Sequence, residues 1–262
     1  MARLAGWIDS LLNRSERAAT GPLPRLSAAE RPALIYAIGD VHGCLDALKT
    51  LEARIVADAA GTPGDKWIVM LGDYVDRGPH SAQVLDHLTA RPPAGFSRIC
   101  LRGNHDEAML AAIEDSRAVE NWIAWGIETT LASYGLGAAQ IAQLTTPGRA
   151  AAKQQLLQAV IPDEHITFLR NLPVILTVPG FVFVHAGLRP GVEIGKQQDR
   201  DLMWIRREFL DTDHDFGAVV IHGHTPVGTP ELTPYRASID TACFASGVLT
   251  AVRIDDGGVR VL

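Results

Sequence analysis

WIVMLGDYVDRGP, residues 67–79, is the stretch whose reading decides the fold. Trp67 to Leu71 is an unbroken apolar run, which suits a strand buried on both faces. The character then changes at once. Gly72, Asp73, Asp76, Arg77, Gly78 and Pro79 combine turn formers with more charge than a plain surface turn needs. A strand ending this way carries either a heavily charged loop or a bound ion.

The same grammar recurs along the chain. Leu34–Ile38 runs into Gly39-Asp40-Val41-His42-Gly43, and Ile99–Leu101 into Arg102-Gly103-Asn104-His105-Asp106. Phe181–Val184 runs into His185-Ala186-Gly187, and Val219–Ile221 into His222-Gly223-His224-Thr225-Pro226. Further apolar runs at Val174–Val178 and Val248–Ile254 read as strands, and helical periodicity marks 45–58 and 80–90. This alternation predicts an α/β fold with parallel strands. In an open α/β sheet the carboxyl ends of the strands share one rim where ligands bind, so the five loops are expected to converge.

Residues 1–31 stand apart. Leu4, Trp7, Ile8, Leu11 and Leu12 share one helical face, and Thr20-Gly21-Pro22-Leu23-Pro24 breaks the pattern. The expected organisation is an amphipathic helix plus linker over 1–31, docked on the body, and a main domain over 32–262. Within that domain 107–171 reads as a mainly helical cap or flank.

Composition narrows the class. The chain has 262 residues, 47% of them apolar and 21% charged, as in an ordinary globular protein with a sizeable core. A net charge of -6 argues against a general nucleic-acid binder, so an anionic substrate would need local positive charge. Cys44, Cys100 and Cys243 are odd in number and widely spaced, which suits a reducing cytoplasm. No run approaches the ~18 apolar residues of an integral membrane segment, and the N-terminus lacks the pattern of a signal peptide.

Asp40, His42, Asp73, Asn104, His185 and His224 offer oxygen and imidazole ligands without a thiolate, a set that suits Mn²⁺, Fe or Zn²⁺. Six ligands are too many for one ion with an open position and suit two ions sharing a carboxylate. Asp73, leaving a strand directly, is the candidate bridge. Taken singly, each loop has a bland reading: a turn with a capping Asp, or a packed histidine. Five such loops, each placing a ligand type just past a strand end, point to a shared metal centre. Cys44 reads as a small apolar residue at a helix start, with a redox-sensitive thiol as the alternative.

With these motifs the sequence resembles the calcineurin-like metallophosphoesterases, and within them the phosphoprotein phosphatases, particularly the short bacterial serine/threonine phosphatases. The resemblance spans roughly residues 34–254 and rests on Gly39–Gly43, Gly72–Gly78, Gly103–Asp106, His185-Ala186-Gly187 and Gly223-His224. It implies a two-sheet β-sandwich flanked by helices, with the metal loops at one edge. It also implies a dinuclear centre of two divalent ions, Mn²⁺ by preference. Asp40 and His42 would hold the first ion, Asp73 would bridge, and Asn104, His185 and His224 would hold the second. His105 matches the family's catalytic histidine and Asp76 the acid that orients it. Arg77, Arg102 and, from Trp204-Ile205-Arg206, Arg206 match phosphate-binding arginines. Pro226 stands where many metallophosphoesterases have a second histidine. Asp106 replaces a common glutamate, and His222, without a counterpart, reads as a packed histidine.

The resemblance further implies phosphate-ester hydrolysis by water activated between the ions. His105 would protonate the leaving group, and no phosphoenzyme would form. A serine/threonine protein phosphatase acting on phosphorylated proteins or small phosphate esters is the expected function. The alternative is a bis-nucleoside tetraphosphatase of the symmetrical kind, and a non-catalytic phosphoprotein-binding module is the remote third reading.

Overall fold

Strands that are apolar on both faces need a covering layer on each side. The computed structural model, which describes residues 23–262, supplies it with two mixed sheets between helical layers. The amphipathic segment read over residues 4–12 lies outside the described residues.

The first sheet is built on β2 (Leu34–Ile38), β3 (Lys66–Met70) and β4 (Phe96–Cys100), paired in parallel, with β10 (Ala251–Asp255) antiparallel to β2 and β11 (Gly258–Val261) at the far edge. The second runs β1 (Arg25–Ser27), β5 (Ile175–Val178), β6 (Phe181–Val184), β7 (Val219–His222), β9 (Arg236–Ser238) and β8 (Glu231–Leu232). Alternating residues sort into layers, as the strand period of two requires. Ile35, Ala37, Trp67, Val69 and Ile99 meet Leu176, Phe183 and Ile221 in a core between the sheets. Leu34, Tyr36, Ile38, Ile68 and Met70 face the other way. They pack on α1 (Leu45–Asp58) and α2 (Ser81–Thr89) through Leu48, Ile55, Val84 and Leu85. Val182, Val184 and Val220 of the second sheet are covered by Leu202, Met203 and Phe209. Both faces of each central strand are therefore buried, which is why their sequences are continuous rather than alternating.

The two-sheet sandwich flanked by helices is the architecture that the resemblance implies. Two details need adjusting. The alternation suggested parallel strands; after β4 the chain crosses a long helical stretch and opens the second sheet with the antiparallel pair β5–β6. Residues 25–27, read as linker, are an edge strand parallel to β5, fixed by the Arg25–Asp199 ion pair. Three residues carry too little periodicity to be read as a strand. Between β4 and β5 lie α3 (Asn104–Glu114), α4 (Val119–Ile123), α5 (Glu128–Ser133), α6 (Ala138–Thr145), α7 (Ala150–Val160) and α8 (Asp163–Asn171). They share the core of α1 and α2, with Trp122 fully buried among them.

Candidate metal centre and catalytic dyad

The carboxyl ends of β2, β3, β6 and β7 deliver Asp40, Asp73, His185 and His224 to one place, and α3 begins there with Asn104 and His105. Backbone bonds join the loops. The amides of Val41 and His42 donate to the Asp73 carbonyl, the Gly43 amide to Tyr74, and the Gly78 amide to His42. Asp106 braces the third loop against the second. Its Oδ2 accepts from the Asp73 amide at 2.8 Å and the Gly103 amide at 2.9 Å, and its Oδ1 from the Tyr74 amide at 2.9 Å. Space is equally tight. A Cβ on Gly103 would stand 2.1 Å from Asp73 Oδ1, and one on Gly223 would stand 2.0 Å from Asp40 Oδ1. Both positions require glycine to let backbone approach carboxylate.

Strain collects at these loops. Seven described non-glycine residues have positive φ, and five of them are His42, Asp73, Asp76, Arg77 and His224. Such conformations cost about 1–3 kcal/mol each and persist where the surroundings over-determine them, characteristically at functional sites.

The ligand atoms form two trios that share Asp73. His42, Asp73 and His105 offer one set and Asp73, His185 and His224 the other, with the atoms of each trio within 4.8 Å of one another. Around His185 Nε2 stand Asn104 Oδ1 at 2.9 Å, His224 Nδ1 at 3.2 Å and Asp73 Oδ2 at 3.4 Å. His42 Nε2 is 3.6 Å from Asp73 Oδ2. His185 Nδ1 donates to the Leu71 carbonyl and His42 Nδ1 to the Val75 carbonyl, so in each neutral ring Nε2 is the lone-pair nitrogen. With the rings neutral, lone pairs aim at a carboxylate and an amide oxygen, an arrangement of acceptors facing acceptors that a proton or a metal cation resolves. Atoms about 2.1 Å from a common ion stand about 3.0–3.4 Å apart, which matches the set around His185. His224 Nε2 is buried without a partner. The donor set thus fits divalent metal.

Electrostatics agree. Burial opposes the charge on Asp73, yet His185, His105 and His42 hold its carboxyl well below the usual range. Burial also opposes protonation of His185, but Asp73 and Asp40 push it up to about 10. The centre attracts positive charge, and a metal ion is one form of it. Burial drives His42 down to about 4, and burial together with the charge of His185 drives His224 to about 2, so both are neutral, ligand-ready imidazoles.

Asp40 is placed differently from the expectation. It is buried beside the centre but belongs to neither trio; its carboxylate accepts the His224 amide at 3.1 and 3.2 Å, and His105 completes the first trio instead. Burial and then the neighbouring Asp240 raise the Asp40 carboxyl well above its usual value. Asp240 was not found from sequence. It follows β9 as Asp73 follows β3, but β9 lacks the apolar run that flagged the other loops.

His105 and Asp76 form a buried dyad, with Nδ1 donating to Oδ2 at 2.7 Å. Burial lowers the His105 pKa, but Asp73 and Asp76 outweigh it and the net direction is upward. Trp122 Nε1 donates to the same Oδ2 at 3.0 Å and Thr130 Oγ1 to Oδ1 at 2.8 Å. The imidazole lies 4.9 Å from the Trp125 ring. Trp122, Trp125 and Thr130 come from the helical stretch, and no local sequence signal ties them to Asp76.

The arginines divide. Arg77 and Arg206 are exposed, Arg77 with its guanidinium 5.0 Å from the Phe244 ring and Arg206 near enough for its charge to lower the His224 pKa. Arg102 is buried and committed elsewhere: it pairs with Glu107 and donates to the Leu169 and Arg170 carbonyls at 2.8 and 2.9 Å. It holds α8 to the third loop, whereas the sequence reading placed it on phosphate. His222 is packed, between Ser238 Oγ at 2.8 Å and the Gly223 carbonyl at 3.1 Å. Cys44 Sγ meets the His42 carbonyl at 3.5 Å and contacts the Cys243 thiol. A cavity of about 520 Å³ lies elsewhere, lined by Pro24, Leu26, Phe96 and Phe168.

Comparison with known proteins adds three findings. The family model for calcineurin-like phosphoesterases matches residues 33–248. The chain is 27% identical over 242 residues to an asymmetrical bis(5'-nucleosyl)-tetraphosphatase, PrpE, from Oceanobacillus iheyensis, covering 84% of this chain and 88% of the relative. It is 28% identical over 239 residues to the protein of the same name from Anoxybacillus flavithermus, covering 82% and 88%. Among solved structures, a candidate diadenosine tetraphosphatase superimposes with a TM-score of 0.64 at 20% identity, covering 92% of this chain and 97% of that one. A cold-active protein-tyrosine phosphatase from Shewanella gives 0.59 at 18%, covering 95% and 89%. These two likenesses speak to fold.

Proposed function

The chain belongs to the calcineurin-like phosphoesterase family, and on that premise we propose that it is a metal-dependent hydrolase of dinucleoside polyphosphates, releasing a nucleoside triphosphate and a monophosphate from the tetraphosphate. The observation that carries the substrate class is the similarity, along more than four-fifths of both chains, to the asymmetrical tetraphosphatases. This favours the alternative over the protein phosphatase expected from sequence, with asymmetrical rather than symmetrical scission.

Asp73, His42, Asn104, His185 and His224 would hold two divalent ions, with Asp40 completing the first site; Mn²⁺ is the metal we propose. Bound there, such ions lower the pKa of water and polarise phosphorus. The chain's own residues do the rest. Arg77 and Arg206 orient the phosphates and offset charge on the oxygens that gain it. His105, charged through Asp76, carries a proton at Nε2 for the departing phosphate oxygen. Trp122 and Thr130 fix Asp76, and so the imidazole. A net charge of -6 fits a small-molecule substrate rather than nucleic acid. The unpaired cysteines support a cytoplasmic location. No described helix is long and apolar enough to cross a membrane.

The test is product analysis. The manganese-loaded protein is given diadenosine tetraphosphate and, separately, phosphoserine and phosphothreonine peptides. ATP with AMP, at higher catalytic efficiency than phosphate release from peptides, is the expected outcome. Two ADP would indicate symmetrical scission, and preference for the peptides would restore the protein-phosphatase reading, which the Asp73–Arg77 loop supports.

A further inference from the structure

Six large apolar side chains are exposed among the described residues, four of them aliphatic; the two aromatic ones, Trp204 and Phe244, both border the candidate metal ligands. Tryptophan is highly buried on average, yet 38% of Trp204 is exposed. The chain forces this exposure. Leu202, Met203 and Ile205 around it are buried in the core that covers the second sheet, and Ile205 itself is extended at φ -59° and ψ 143°. Trp204 and Arg206 are both exposed on this anchored segment. The Trp125 ring meets the indole edge-on at 5.2 Å and the His224 ring lies 6.4 Å away. Phe244 differs: the Arg77 guanidinium lies over its ring, 5.0 Å from the centroid, so one face is already engaged.

We propose that Trp204 is the stacking platform for a nucleobase, with Arg206 two residues on taking the phosphate attached to it. This deepens, and rests on, the dinucleotide reading above. An indole held against Trp125 and still more than a third exposed offers a purine a π surface with little ordering cost, and stacking needs no base-specific hydrogen bond. The pairing of a flat aromatic group with a guanidinium suits a ligand in which a planar base and a phosphate are joined by one sugar. An aliphatic phosphoserine or phosphothreonine side chain has no planar group to place there. The other base of a dinucleotide is left without an assigned platform, in keeping with an unsymmetrical hold on the substrate.

The experiment compares ATP with inorganic tripolyphosphate, which has the phosphates but no base. Their inhibition constants are measured against p-nitrophenyl phosphate hydrolysis by the metal-loaded protein, and indole fluorescence is followed on addition of each. Wild type should bind ATP about 5- to 150-fold more tightly than tripolyphosphate. ATP, but not tripolyphosphate, should quench the fluorescence. Trp204→Ala should bring the two constants together. Trp204→Phe, which keeps a π-face and the packing against Trp125, should retain most of the preference and lose the quench. Equal constants in wild type, or a preference that survives Trp204→Ala, overturn the proposal. Diadenosine tetraphosphate turnover is measured in parallel. Cleavage with no effect at Trp204 refutes the platform alone, and a Trp204-dependent ATP preference without cleavage refutes the assigned substrate alone.

Discussion

Asp76→Asn separates the charge of the dyad from its geometry. Oδ2 of Asp76 accepts from His105 Nδ1 at 2.7 Å and Trp122 Nε1 at 3.0 Å, while Oδ1 meets Thr130 Oγ1 at 2.8 Å. An asparagine can keep its oxygen toward His105 and Trp122 and turn its amide nitrogen to Thr130 Oγ1, which also has lone pairs. Packing and hydrogen bonds survive, and the negative charge goes. His105 then loses a partner that holds its pKa up, so the protonated imidazole is scarcer at neutral pH. General acid catalysis is worth about 10²–10⁴-fold, and kcat for an alkyl phosphate, whose alkoxide is a poor leaving group, is expected to fall by about that amount. A nitrophenolate departs without help, so kcat on p-nitrophenyl phosphate should fall far less. The alkaline limb of the pH–rate profile should move to lower pH. The assay is steady-state kinetics on both substrates across pH, with metal content checked. Equal losses on the two substrates would refute proton donation by His105.

Further outcomes follow from other contacts. Arg102→Ala removes bonds to two main-chain carbonyls and Glu107, so it should cost about 2–3 kcal/mol of stability in denaturant unfolding while leaving KM unchanged; a raised KM with normal stability would return Arg102 to the phosphate. Gly223→Ala drives a Cβ onto Asp40 Oδ1, and should lower kcat by about 10²-fold together with metal content, whereas unchanged values of both would dissociate Asp40 from the centre. Glu52 is buried, bound to Arg98 at 2.8 Å and His87 at 2.6 Å. Burial raises its pKa, but His87 and Arg98 outweigh it and hold it below the usual value. The stability this shift contributes is present above the ordinary glutamate pKa of about 4.3 and is lost as pH falls through the lower folded value. Glu52→Ala should cost about 3 kcal/mol at pH 7 and progressively less below about pH 4, as read by denaturant unfolding; a deficit that does not vary with pH would contradict the shift.

What could be read from sequence was whatever is local. An apolar run followed by Gly and a ligand residue is a local pattern, and it marked Asp40, Asp73, Asn104, His185 and His224, all of which the fold gathers in one region. The two layers on either side of each sheet were implicit in the continuous runs. What escaped is non-local. Trp122 and Thr130 reach Asp76 across 46 and 54 positions, and nothing in their own segments announces it. Arg102 sits beside the motif in sequence, yet its partners at 169 and 170 turn it away from the rim. Asp240 follows a short strand with no apolar signature, and β1 is too brief to show a period. The break into two sheets depends on where the chain goes after β4, which pairing decides rather than periodicity.

The most direct measurement is anomalous diffraction at the manganese edge from crystals of the manganese-loaded protein. The expected result is two peaks about 3.5–4 Å apart, with the Asp73 carboxylate between them, the His185 and His224 imidazoles on one and the His42 imidazole on the other. A single peak, or peaks away from Asp73, would contradict the dinuclear centre.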